Sequence, residues 1–89
     1  MKSKAIYEIE VDGKKCQLCK LDRATLEITL GMVMATTGNP QYIRAGEIIL
    51  RKCWVSGDKE ILEQDDLLIA AAMKAYELIE IKEATLKKI

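Results

Sequence analysis

Apolar and polar positions alternate from residue 5 to residue 11, with Ala5, Tyr7, Ile9 and Val11 on one face and Ile6, Glu8 and Glu10 on the other. A period of two marks a half-buried strand. Asp12-Gly13 comes next. That dipeptide between two alternating runs predicts a hairpin, because both turn residues tolerate positive φ, and it places the return strand at residues 14–20. The hairpin unit is expected over residues 1–21. Two strands alone are marginal in water, so a later part of the chain must cover their apolar face.

Asp22 can cap a helix beginning at Arg23, in which Leu26, Leu30, Val33 and Met34 are spaced to share a face. Leu26, Ile28, Leu30, Met32 and Met34 also alternate strictly, and Gly31 weakens a helix interior by about 1 kcal/mol relative to Ala, so a third strand is the competing reading. The capping Asp and the length of the run favour a helix over residues 22–37. Thr37-Gly38-Asn39-Pro40 then punctuates the chain: Gly38 can end one helix, Asn39 can cap the next, and Pro40 suits a first helical position. A second helix is expected over residues 40–55. In projection Tyr42, Ile43, Ala45, Gly46, Ile49, Leu50, Cys53 and Trp54 fill one broad arc, with Arg44, Glu47, Arg51 and Lys52 opposite. Gly46 inside that arc would let another helix cross closely. Trp54 reads as a packing anchor in preference to an interface hot spot. Ile48 and Val55 fall outside the arc, seven residues apart, and define a second apolar stripe.

Ser56-Gly57-Asp58 repeats the stop-and-restart logic, with Gly57 ending a helix and Asp58 able to cap the next, and Gln64-Asp65-Asp66 offers a further start. A long last helix is expected over residues 58–89, unbroken or broken near residue 64. Its middle, residues 67–73, is apolar on every side, which predicts burial all round. At about 1.5 Å per residue, residues 65–88 would span roughly 36 Å, against a diameter of about 31 Å for a compact globule of this size. Such a rod would project from the core or be covered by another chain, and Ile81 and Ile89, off its main stripe, would need that cover. The expected fold class is α+β: an N-terminal β-hairpin packed on a bundle of about three α-helices with a long C-terminal helix.

Composition narrows the possible functions. The chain has 89 residues, 49% of them hydrophobic, with 14 basic residues against 14 acidic ones. That length suits one small domain, and the apolar content with zero net charge excludes intrinsic disorder. The charge balance also removes the basic footprint of a nucleic-acid or membrane-surface binder. Charge is unevenly placed, nine basic and six acidic residues in 1–55 against five and eight in 56–89. Five carboxylates between Asp58 and Asp66 read as a solvated acidic linker, because the ligand spacing of a calcium loop is missing. There is no histidine, the usual general acid or base near neutral pH. Ser3 and Ser56 lie in no nucleophile elbow, and no phosphate-binding glycine loop occurs. No apolar run approaches the ~18 residues of a membrane span, so a cytoplasmic, non-membrane protein with reduced thiols is expected.

Cys16-Gln17-Leu18-Cys19 has the C-x-x-C spacing of zinc ribbons and thiol redox sites. On a strand, residues three apart point to opposite faces, so these sulfurs would neither close on one metal nor form an unstrained disulfide. Cys53 is the only further soft donor, and no second C-x-x-C or His pair completes a tetrahedral site. Ordinary buried or semi-buried thiols are expected, with no metal and no cofactor.

The segments Ala45-Gly46-Glu47-Ile48-Ile49-Leu50, Cys53-Trp54 and Ser56-Gly57-Asp58-Lys59-Glu60-Ile61, and then Leu67 onward to Glu80-Ile81-Lys82-Glu83-Ala84, resemble small proteins of phage and prophage tail operons, the tail assembly chaperones. The likeness covers residues 5–89 in the order of elements, and its specific residues lie mainly at 45–61. The resemblance implies a cytoplasmic factor that binds the long tape-measure protein and helps tail-tube subunits polymerise around it. It brings no catalytic residues, and the C-x-x-C lies outside its pattern. Surplus apolar surface and this resemblance together point to a non-enzymatic interaction factor. Its expected partner is protein, either a second copy in a homo-oligomer or a long helical client, contacted by Ile48, Val55, Ala70 and Ile81. Two other readings stand beside it. One is a small cysteine-based metal or thiol redox module; the other is a helix-turn-helix DNA-binding protein built around residues 37–40, against which zero net charge and Glu47 in the would-be recognition helix both weigh.

Overall fold

A computed structural model describes residues 4–34, 41–79 and 84–89. The hairpin forms where the alternation places it. β1 (Tyr7–Val11) pairs antiparallel with β2 (Lys14–Leu18), and Asp12 and Gly13 turn the chain at φ 50° and 82°. Tyr7 stands opposite Leu18 and Ile9 opposite Cys16, which makes one apolar face. On the other face Glu8 meets Gln17 and Glu10 meets Lys15.

The second helix is shorter than expected and gives way to a strand. α1 (Arg23–Val33) is succeeded by α2 (Tyr42–Cys53). The Asn39 cap and Pro40 start fall outside the described residues. At Trp54 the backbone becomes extended (φ −60°, ψ 124°) and enters β3 (Trp54–Gly57), which pairs antiparallel with β2 to give the sheet order β1-β2-β3. A two-stranded hairpin leaves one edge of β2 unpaired, and Trp and Val suit a pleated, half-buried surface better than one more helical turn. Trp54 lies opposite Leu18 and Ser56 opposite Gln17, so Val55 is the extra residue of a bulge. The stripe expected to join Ile48 to Val55 along one helix therefore does not exist. Gly57 ends no helix. It sits in the ladder at φ 144° opposite Cys16, where a Cβ would lie 2.6 Å from the Lys15 carbonyl oxygen and 2.7 Å from the Cys16 Cβ. Asp58 extends the sheet edge and caps nothing: its N–H donates to the Lys15 carbonyl at 2.8 Å, and its Oδ2 accepts the Lys15 N–H at 2.9 Å.

The last helix breaks at Gln64, where the backbone is extended (φ −100°, ψ 124°), into α3 (Glu60–Glu63) and α4 (Asp65–Ala75), the latter prolonged by a 3-10 turn, Tyr76–Leu78. From Asp65 to Leu78 the run is 14 residues, or about 21 Å. The expected long rod is absent: Ile79 is already extended at ψ 99°, and residues 84–89 have no regular structure. The buried stripe of α4 stops at Ala75, and helical turns without a packed face are marginal in water. Nor is the 67–73 stretch buried all round. Leu67, Ala71 and Ala72 are buried, whereas Ile69, Ala70 and Met73 are exposed.

The fold is α+β in two layers. Ile9, Cys16 and Leu18 of the sheet meet Ile49, Leu50 and Cys53 of α2, Ile61 of α3, and Ala71, Ala72 and Ala75 of α4. α2 and α4 run antiparallel, since Tyr42 stacks on Tyr76 with ring centroids 5.0 Å apart while Gly46 meets Ala72. α3 is a single turn, yet its Ile61 is fully buried, which is worth about 1.5–3 kcal/mol. The Lys14–Glu60 ion pair beside it, 2.7 Å long, is nearly half exposed at both ends and screened by water, so the isoleucine is what holds α3 in place. Among the described residues no helix is long and apolar enough to cross a membrane.

Candidate functional site

α1 is fixed at its start by Asp22, whose Oδ1 accepts the Thr25 N–H at 2.8 Å. Contact with the Thr25 hydroxyl, and then with its N–H, holds the Asp22 carboxyl below the usual aspartate value. Of the expected face, Leu26, Leu30 and Val33 are half-buried and Met34 is exposed. The buried residues of α1 are Thr25 and Thr29. They form an i, i+4 pair of modest size, and the Thr29 hydroxyl donates to the Thr25 carbonyl at 2.9 Å, so it enters the interior without losing a hydrogen bond. As a result the aliphatic residues of α1 point sideways or outward. Leu26, Leu30, Met32 and Val33 are half-buried, Ile28 is 54% exposed, and Met34 at the C-cap is 61% exposed.

The rim between α2 and α4 carries a second apolar surface. Because Gly46 brings the helices so close, the small Ala71, Ala72 and Ala75 fill the seam and the bulkier residues of α4 lie outside it. Ile69 and Met73, one turn apart, are exposed there, as are Tyr42 and Ile43 on α2. Gln41, Tyr42, Ile43, Arg44 and Met73 border a shallow depression of about 370 Å³. An aliphatic pair at i, i+4 beside an aromatic edge is the kind of surface against which an amphipathic helix packs.

The four residues singled out from sequence do not form one patch. Ile48 is half-buried on α2, Val55 is half-buried at the β3 bulge, and Ala70 is exposed on α4; Ile81 lies outside the described residues. Sequence reasoning missed Met34, Ile69 and Met73 because it assigned them to buried faces, and Ile28 because it counted only in the competing strand alternation. The signals that would have found them are the Thr25/Thr29 pair, which marks the inner side of α1, and the alanines of α4, which mark the side facing Gly46.

Opposite in character is a pocket of about 210 Å³ lined by Cys19, Lys20, Asp22, Thr25, Lys52, Cys53, Trp54 and Val55. Cys16 has no part in it, being fully buried in the sheet face, so the C-x-x-C is divided between two environments. Cys19 lies just past β2, and its N–H donates to the Cys53 carbonyl at 2.8 Å. Burial first, and the neighbouring Cys19 thiol second, push the Cys53 thiol up to about 11. Burial likewise raises Cys16. Among the described residues no group of three or more Cys, His, Asp or Glu side chains gathers where an ion could be held.

No family model, no curated protein and no solved structure matches this chain.

Proposed function

We propose that this protein is a non-enzymatic interaction factor acting in the cytoplasm, a tail assembly chaperone of the phage type whose client is a long helical polypeptide of the tape-measure kind. One observation carries the reading: α1 commits only two threonines to the core and leaves Ile28 and Met34 in water. A small domain gains stability by burying aliphatic residues, and scattered single exposures are ordinary. A helix whose only fully buried residues are threonines, with Ile28 and Met34 exposed, is not ordinary, and such exposure marks a surface that a partner covers. Ile69 and Met73 on α4, beside Tyr42 and Ile43, supply a second surface of the same chemistry. An amphipathic client helix suits the α4 surface best, since Ile69 and Met73 stand one helical turn apart.

The test is co-expression with the long, coiled-coil-like product of the neighbouring reading frame, then co-purification, and sedimentation of the protein alone. The expected result is a complex with the client that Ile28→Asp or Met73→Asp weakens at least tenfold. A protein that ignores this client and whose sedimentation and binding are unmoved by both variants would overturn the reading. Self-association in place of client capture would reassign the surface to a second copy.

A further inference from the structure

The pocket between the end of β2 and the end of α2 brings together two cysteines that are 34 positions apart in sequence and separates each from Cys16. Cys19 and Cys53 continue the β2–β3 ladder by one step beyond the Leu18–Trp54 pair. The Cys19 N–H donates to the carbonyl of Cys53, the last residue of α2, at 2.8 Å and ties the two backbones together. With standard backbone dimensions, that one bond keeps their Cα atoms within about 6.7 Å of each other, no further than the roughly 4.4–6.8 Å that a disulfide spans. The Cys19 thiol is also near enough to raise the Cys53 thiol. Cys19 is partly open to solvent and Cys53 is buried behind it. Lys20 and Lys52 line the same pocket and outnumber its one carboxylate, Asp22.

We propose that Cys19 and Cys53 form a thiol-modification site for small anionic disulfides of the glutathione class, with Cys19 as the attacking thiol and Cys53 as the resolving one. The Cys19 thiolate attacks one sulfur of the small disulfide; a Cys19 mixed disulfide forms and one small thiolate leaves. The Cys53 thiol gives up its proton to solvent, and its sulfur attacks the Cys19 sulfur. The mixed bond breaks, the second small thiol departs, and a Cys19–Cys53 disulfide remains. Two protein thiols are oxidised and one small disulfide is reduced to two thiols, so electrons and atoms balance. Lys20 and Lys52 favour a disulfide that carries carboxylates over a neutral one. The partly open Cys19 and the shielded Cys53 have the asymmetry that this order of steps needs, because thiolate character and access decide which sulfur attacks first. The site is independent of the apolar surfaces of α1 and α4.

The test uses the reduced full-length protein with oxidised glutathione, read by intact mass and by peptide mapping. Wild type is expected to lose about 2 Da, the two thiol hydrogens, and to yield a linked Cys19–Cys53 peptide with Cys16 still free. Cys53→Ala is expected to stop at the glutathione adduct on Cys19, and Cys19→Ser to give neither product. Lys20→Ala with Lys52→Ala is expected to slow the reaction with oxidised glutathione several-fold while leaving that with a neutral small disulfide unchanged. A stable glutathione adduct on wild type that never resolves, or a linkage that involves Cys16, would overturn the proposal.

Discussion

Gly46 of α2 meets the backbone of Ala72 on α4 so closely that a methyl group in its place would lie 2.8 Å from the Ala72 Cα and closer still to its carbonyl. The obstacle is main chain, which cannot swing aside as the end of a side chain can. Gly46→Ala should therefore destabilise the protein by about 1–3 kcal/mol, despite the better helix propensity of Ala. Gly31 is also in a helix, with nothing within 4 Å of its missing Cβ. Gly31→Ala should stabilise by up to about 1 kcal/mol. Urea unfolding of the two variants separates a glycine held by packing from one that packing does not need.

The Asp22 cap has an acid signature. Its folded carboxyl titrates below the ordinary 3.8 because of Thr25. A depressed value means that the cap contributes fully above the unfolded value and loses that contribution as pH falls through the folded one. Thermal scans from pH 6 downward should show stability falling below about pH 4, and Asp22→Asn, which still caps but does not titrate, should flatten that part of the curve.

At the alkaline end the cysteines act with the opposite sign. Cys53 is raised from 9.0 to about 11, and Cys16 is raised as well. Their neutral thiols favour the fold below pH 9, and the advantage fades as pH climbs through the folded values, since the unfolded chain ionises first. Cys53→Ala should weaken this alkaline slope without abolishing it, because Cys16 remains. Melting temperatures between pH 8 and pH 11, taken under reducing conditions, check this.

The apolar exposures should be removable without harm to the fold. Ile28 and Met73 are 54% and 40% exposed, so Asp at either position should change unfolding free energy by about 1 kcal/mol or less. Ile61→Ala, by contrast, empties a fully buried site and should cost about 2–5 kcal/mol. Measured side by side, the three variants distinguish side chains that the domain needs from those available to a partner.

What the sequence made legible, and what it hid, divides along physical lines. The hairpin was plain because alternation and Asp12-Gly13 agree locally. The Asp22 cap was plain because capping is a matter of three neighbouring residues. The buried arc of α2 was read correctly from Ala45 to Cys53. Trp54–Gly57 was hidden because its strand depends on an edge of β2 some forty residues away, and helical spacing continues through Trp54 by coincidence. The end of α4 was hidden because residues after Tyr76 keep a helical rhythm, while the fully buried residues that would sustain it stop at Ala75 and only Leu78 and Ile79 still touch the core. In α1 the aliphatic spacing found half-buried residues but not the deepest ones, since periodicity counts apolar residues and gives no weight to a threonine such as Thr29, whose hydroxyl bonds to its own helix.

The threonine seat of α1 bears on how the molecule breathes. α1 buries only Thr25 and Thr29 completely, with its aliphatic residues at most half-buried, whereas α2 and α4 are anchored by Ile49, Leu50 and the seam at Gly46. Backbone amides of α1 should trade hydrogen for deuterium through partial openings, well ahead of those in α2, which wait for the whole structure to come apart. The helix that leaves Ile28 and Met34 in water should thus also be among the first parts of the body to open.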